Sequence, residues 1–149
     1  MPTSPLNELT RLGQSIWYDN ISRELLDSGE LKRMVDEEGV TGVTSNPTIF
    51  DKAIAGSSAY DADIRKLIEV GASAHDIYEG LVVEDVRSAA DVLRAVFDST
   101  QGADGYVSLE VSPLLAADTA ETIEQARHLF SLVGRPNLMI KVPATPEGI

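Results

Sequence analysis

The sequence predicts an α/β fold of parallel strands joined by helical crossovers, and three observations carry that reading. Short β-prone runs alternate with helical stretches in the order strand, helices, strand, helices, strand, helix, strand. Polar residues recur at corresponding positions toward the ends of these runs, where α/β folds build their sites. The length of 149 residues suits one ordinary domain rather than two. An open doubly wound sheet and a (β/α)8 barrel share this pattern, and a barrel needs about 250 residues, so this chain supplies about half of one. Residues 1–149 are therefore read as a single partial domain.

Each element has its own signal. SPLNELTRLG predicts a short helix capped by Ser4, with Pro5 at its first position and Gly13 as its stop. SIWYDN is a short β-prone run stopped by Asp19 and Asn20. In SRELLDSGELKRMVDEEG the apolar residues Leu25, Leu26, Leu31, Met34 and Val35 follow helical spacing interrupted at Gly29, which predicts two short helices. VTGVTSNP is a second strand ended by Pro47, which also biases Asn46 away from helical geometry.

From Pro47 to Thr100 the pattern is helical, with breaks expected at Gly56, Gly71 and Gly80. Its clearest stripe runs through Val82, Val86, Ala89, Ala90, Leu93 and Val96 or Phe97. GYVSLEVSP is a third strand ended by Pro113. TAETIEQARHLFSLVG predicts a helix with Thr119 as N-cap and Gly134 beyond its end, and NLMIKVPAT is the fourth strand.

Composition narrows the function classes. Twelve Lys and Arg face 24 Asp and Glu, a formal charge of -12, and the pI is near 4.4. Phosphate backbones and anionic lipid are repelled, so neither nucleic acid nor membrane is an expected partner. There is no cysteine, and the only histidines are His75 and His128. Disulfides and thiolate metal sites are thus excluded and a histidine-rich metal site is not expected, although carboxylates alone could still hold Mg²⁺ or Ca²⁺. The start MPTSPLNELTRLGQS has no basic segment followed by an apolar one, and no stretch approaches the roughly 18 apolar residues of a membrane span, so a cytoplasmic location is expected.

Side chains alternate along a strand. Val107, Leu109 and Val111 share one face, and Ser108, Glu110 and Ser112 the other; Leu138, Ile140 and Val142 face one way, Met139 and Lys141 the other. Asp19, Asn46, Glu110 and Lys141 should all meet at the C-terminal edge of the sheet. Competing readings stand beside this one. Asp19 and Asn46 sit at natural strand stops, where turn or cap chemistry places the same residues. Glu110 and Lys141 could simply neutralise each other. A lysine among Met139, Pro143 and other apolar neighbours is nevertheless expected to have a depressed pKa, which frees its amine as a nucleophile. Trp17 and Tyr18 read as packing residues, His75 and His128 as helix-surface residues, and Thr44 and Ser45 as turn-shaping ones. The acidic clusters Asp36 to Glu38 and Glu84 to Arg87 read as solvated helix faces.

GVTSNPTIF, Gly42 to Phe50, is similar to the first signature of the transaldolases, and LMIKVPATPEGI, Leu138 to Ile149, resembles their second, lysine-centred signature. IWYDN and SLEVSP match the family's first and third barrel strands, so the resemblance spans essentially the whole chain. The stretch from Ser15 to Ile54 resembles the subgroup found in actinobacteria and related lineages, including fusions to glucose-6-phosphate isomerase. The resemblance implies the N-terminal half of a (β/α)8 TIM barrel and a Schiff-base enzyme of the non-oxidative pentose phosphate pathway that needs no metal or other cofactor. Its substrates would be sugar phosphates: a three-carbon dihydroxyacetone unit would pass from fructose 6-phosphate or sedoheptulose 7-phosphate to erythrose 4-phosphate or glyceraldehyde 3-phosphate.

Carried over by residue, Lys141 would form the imine and Asp19 would be the general base of carbon–carbon cleavage. Glu110 would help activate water, and Asn46 would hydrogen-bond the held unit. On the same resemblance, a further threonine at the water and the serine and arginines that hold phosphate belong to strands beyond Ile149. Two rivals remain open: a fructose-6-phosphate aldolase that releases free dihydroxyacetone, and a non-catalytic fragment or assembly module whose exposed strands pair with another chain, including by self-association.

Overall fold

The computed structural model describes residues 4–149; Met1 to Thr3, part of the start read as lacking a leader, lie outside the described residues. Four parallel strands form one sheet in the order β1-β2-β3-β4: β1 Trp17–Tyr18, β2 Gly42–Thr44, β3 Tyr106–Glu110 and β4 Leu138–Lys141. Each strand lies beside its sequence neighbour, without the reversal that defines a doubly wound sheet, so the winding is that of one half of a (β/α)8 barrel. Val43 pairs with Val107, Val107 with Leu138 and Leu109 with Ile140. That row forms the floor of the core, on which Val82, Val86, Ala89, Leu93, Leu129 and Val133 from the helices pack. Burying each such side chain contributes roughly 1.5–3 kcal/mol. The opposite row, with Met139 at 43% exposure, has no helix layer.

The helices begin where local chemistry satisfies their first amides. Helix α1, Pro5–Arg11, is capped by Ser4 as expected. Helices α2, Arg23–Asp27, and α3, Glu30–Arg33, are separated at Gly29, and α3 runs on into a π-helical turn, Met34–Glu38, that the periodicity does not reveal. Helix α4, Pro47–Gly56, leads through a 3-10 turn, Ser58–Tyr60, into α5, Asp61–Glu69.

Helix α6 spans Ala74–Ser99 without a break, so the interruption expected at Gly80 does not occur. Ser73 and Asp76 form a reciprocal capping box, and the buried run from Leu81 to Leu93 outweighs the roughly 1 kcal/mol that glycine costs within a helix. Helix α7, Thr119–Val133, is capped by Asp118 rather than Thr119: the Asp118 carboxylate accepts from the Glu121 amide at 3.0 Å. Asp accepts that bond with a full charge at the positive end of the helix dipole. Gly134 closes α7 in the left-handed conformation, as expected. Among the described residues no helix is long and apolar enough to cross a membrane.

The acidic segment of α6 departs most from expectation. Glu84 is exposed, but Asp85 is fully buried, so this cluster is not a solvated face. Asp85 accepts from Arg23 Nε and, at 2.7 Å, from the Tyr60 hydroxyl. Burial pushes the Asp85 carboxyl pKa upward, opposed by these two donors. Arg23 sits 62 residues away in sequence, a separation that helical periodicity cannot report.

The N-terminal edge of the sheet is fastened separately. Asn137, fully buried, donates from Nδ2 to the carbonyls of Ala90 and Gly105 at 2.8 and 2.9 Å. Gly105 has φ of 86°, and a Cβ there would run into the backbone of Phe97. Gly105→Ala is expected to destabilise by at least about 2 kcal/mol through strain and overlap together, read as a lower urea midpoint at unchanged slope. At the surface, Arg135 holds both oxygens of Asp91, at 2.6 and 2.9 Å, and keeps its carboxyl below the usual range. A depressed pKa confers stability above the unfolded value near 4 that is lost as pH falls through the folded value. The acid limb of the stability–pH curve should accordingly be shallower in Asp91→Asn than in the parent chain.

Candidate active site

The C-terminal edge of the sheet is where the predicted residues come together. Glu110 and Lys141 are register partners on β3 and β4, so both project from the uncovered face at the same level. Lys141 Nζ lies 3.3 Å from Glu110 Oε2, and the side chains are 37% and 27% exposed. A pair this open contributes at most about 1 kcal/mol to stability, so neutralisation alone is a weak reason for its position. The desolvation expected of Lys141 is incomplete, because β4 is an edge strand and its neighbour Met139 is itself open to solvent.

Asp19 follows β1 by one residue and is exposed, and its side chain makes no hydrogen bond to another described residue. Asn46 follows β2 and caps α4, its Oδ1 accepting from the Ile49 amide at 3.0 Å. The cap and the site readings of Asn46 are compatible, since the cap engages the oxygen and leaves the NH2 group to donate elsewhere. Asp19, Asn46 and Glu110 line one open cleft of about 580 Å³, together with Lys52 and Pro113. Lys141 stands beside this wall, joined to it through Glu110. All four predicted residues thus gather along one edge, three of them in a single cleft.

One layer beneath, the Ser108 hydroxyl donates to Thr44 Oγ1 at 2.9 Å, and the buried Ser45 hydroxyl donates to the Ser108 carbonyl at 2.7 Å. Thr44 and Ser45 are therefore occupied in tying β2 to β3. Lower still, the Trp17 indole lies where a Cβ on Gly42 would be, which explains the glycine. A smaller cavity of about 190 Å³ opens on the other side of Glu110, lined by His75, Tyr78, Glu79 and Gln125. Burial raises the Tyr78 pKa there. Neither histidine reaches the cleft; His128 instead meets Glu79 at 3.1 Å. No group of three or more His, Asp or Glu side chains among the described residues could hold a metal ion.

Sequence reasoning missed Lys52 as a cleft residue. Strand parity placed Ser108 on the face of Glu110, but its bonds to Thr44 and Ser45 depend on the pairing of β2 with β3. Lys52 reaches the cleft from within α4, where only the helix orientation brings it in.

The arrangement places two carboxylates and an amide on one open cleft with the Lys141 amine beside it, a set suited to imine formation with proton transfer at a bound carbonyl compound. Residues 16–149 match the transaldolase/fructose-6-phosphate aldolase family. The chain is 52% identical over 149 residues to a transaldolase of Trichodesmium erythraeum, covering 100% of this chain and 39% of that protein. It is 53% identical over 142 residues to one of Thiobacillus denitrificans, covering 95% and 40%, and 51% identical over 146 residues to one of Thermobifida fusca, covering 98% and 40%. The chain thus spans about two fifths of the length of these curated relatives.

The dual use of Asn46 separates two effects. Asn46→Ala should lower the free energy of unfolding by about 1 kcal/mol through loss of the cap. Asn46→Asp should retain most of that stability while removing the amide donor, and urea unfolding of the two variants distinguishes them.

Proposed function

The chain belongs to the transaldolase/fructose-6-phosphate aldolase family, and we propose on that premise that it carries the imine-forming part of a transaldolase site. Its substrates in this reading are ketose and aldose phosphates, handled in the cytoplasm. Lys141 Nζ adds to the carbonyl carbon of fructose 6-phosphate or sedoheptulose 7-phosphate, and loss of water leaves a protonated imine. Asp19 takes the proton from the C4 hydroxyl, on the end of the C3–C4 bond that leaves as the aldose. That bond's electron pair flows into the imine, an aldose phosphate leaves with a new carbonyl, and a three-carbon enamine stays on Lys141. Addition of the enamine to erythrose 4-phosphate or glyceraldehyde 3-phosphate reverses these steps, and water then hydrolyses the imine.

The observation that supports this reading best is the register pairing of Lys141 with Glu110 beside the cleft of Asp19 and Asn46. An amine must be neutral to attack, and Glu110 at 3.3 Å is placed to accept its proton and to pass one to the departing water. Asn46, with its NH2 group left to donate, is suited to hold a hydroxyl of the three-carbon unit. Phosphate capture is assigned to residues outside this chain, because the cleft offers Lys52 as its only cation among the described lining residues.

Release of free dihydroxyacetone, the aldolase alternative contained in the family's description, differs from transfer in its products. The relatives named transaldolase favour transfer. Borohydride reduction in the presence of fructose 6-phosphate is expected to leave a stable sugar adduct on Lys141 and none in Lys141→Ala. An adduct on another lysine, or one that persists in the variant, would overturn the assignment. Supplying erythrose 4-phosphate should then consume the three-carbon unit by transfer, whereas accumulation of dihydroxyacetone would identify an aldolase.

A further inference from the structure

We propose that Asp85 is a positioning residue for Asp19, acting through Arg23 and Tyr60 to fix the connection from β1 into α2. The inference rests on the reading of Asp19 as the base. Strand β1 pairs through only Trp17 and Tyr18, and the Asp19 side chain forms no hydrogen bond to another described residue. Its place is therefore set by its flanks. On one side is the Tyr18 ladder. On the other, Ile21 is fully buried in the core and Arg23 begins α2.

Arg23 is held at three points. Its amide donates to the Tyr60 hydroxyl at 2.8 Å, its Nε to Asp85, and its Nη1 to Asp63 at 2.8 Å. Tyr60 in turn donates to Asp85 at 2.7 Å, and the Arg23 guanidinium lies over the Tyr60 ring at 5.1 Å from its centroid. The 3-10 turn, α5 and α6 thereby all bear on the residue four positions after Asp19. Among the described residues Asp85 is the one buried residue that is charged, and its side chain is fully inaccessible. Replacing a buried ion pair by apolar residues of the same volume is often neutral for stability, so the contribution assigned to this one is geometric: Asp85 holds the Arg23 guanidinium and the Tyr60 hydroxyl, and Tyr60 holds the Arg23 amide. A base needs such support, because a displacement of about 1 Å at a reacting group can cost on the order of a hundredfold in rate.

The test compares the full chain with Tyr60→Phe and Asp85→Asn by NMR. Tyr60→Phe keeps the Arg23–Asp85 ion pair and so remains informative if Asp85→Asn folds poorly. Loss of the Tyr60 hydroxyl should speed amide exchange at Arg23 about tenfold, as expected for one hydrogen bond, while the β3 and β4 ladder keeps its protection. The Asp19 carboxyl carbon resonance should move or broaden in both variants while that of Glu110 stays in place. An unmoved Asp19 resonance in both, or protection lost equally throughout the sheet, would overturn the proposal. In the trapping assay with fructose 6-phosphate, Tyr60→Phe should form the Lys141 adduct as fast as the parent and release aldose phosphate at least about tenfold more slowly. Absence of any adduct in the parent chain would undo the catalytic reading of Asp19 instead, and the resonance and exchange measurements would still decide whether the tether exists.

Discussion

Helices cover only one face of the sheet, and the rest of the molecule follows from that asymmetry. With each strand parallel to and beside its sequence neighbour, every crossover lands on the same side. Each strand must then present one apolar row to the helices and may vary the other. Val43, Val107, Leu109, Leu138 and Ile140 satisfy the first demand. Thr44, Ser108, Glu110 and Lys141 are free of it, and the proposed chemistry draws on the last two.

The two acid–base pairs of this chain illustrate how burial changes what a charge does. Lys141 and Glu110 meet at an open edge, where solvent reaches both side chains and screens their attraction. Arg23 and Asp85 meet where Asp85 has no access to solvent, so separating them would strand a charge in the interior. The first pair suits a reaction that must change protonation state. The second suits a contact that must not change at all.

Much of this was legible in the residues because period and punctuation are local properties. The alternation VSLEV placed Glu110 opposite the greasy face, the same parity placed Lys141, and their positions at strand ends placed Asp19 and Asn46 along the same edge. Ser4, Gly29 and Gly134 marked element boundaries through backbone chemistry that needs no distant partner. The failures share the opposite character. Gly80 looks like a break until the buried flank of α6 is weighed, and Asp85 looks solvated until Arg23 and Tyr60 arrive from other elements. The cap of α7 was misplaced by one residue because Asp118 and Thr119 are both competent caps, and only the bond to Glu121 chooses between them. The solvent access of Lys141 depends on what lies beyond an edge strand, which no local pattern encodes.

Asn137 and Gly105 fasten the sheet at the end opposite Lys141 and Glu110, with the length of β3 between them. This spacing separates heritable risks. A substitution that reshapes the cleft acts at residues whose contacts are exposed and replaceable, whereas one near Asn137 disturbs the closure of α6, β3 and β4 at once. Lineages of such a chain could therefore explore new specificities at the upper rim while the lower rim remains nearly invariant. The lower rim would then be the better guide to shared ancestry, and the upper rim to divergence in use.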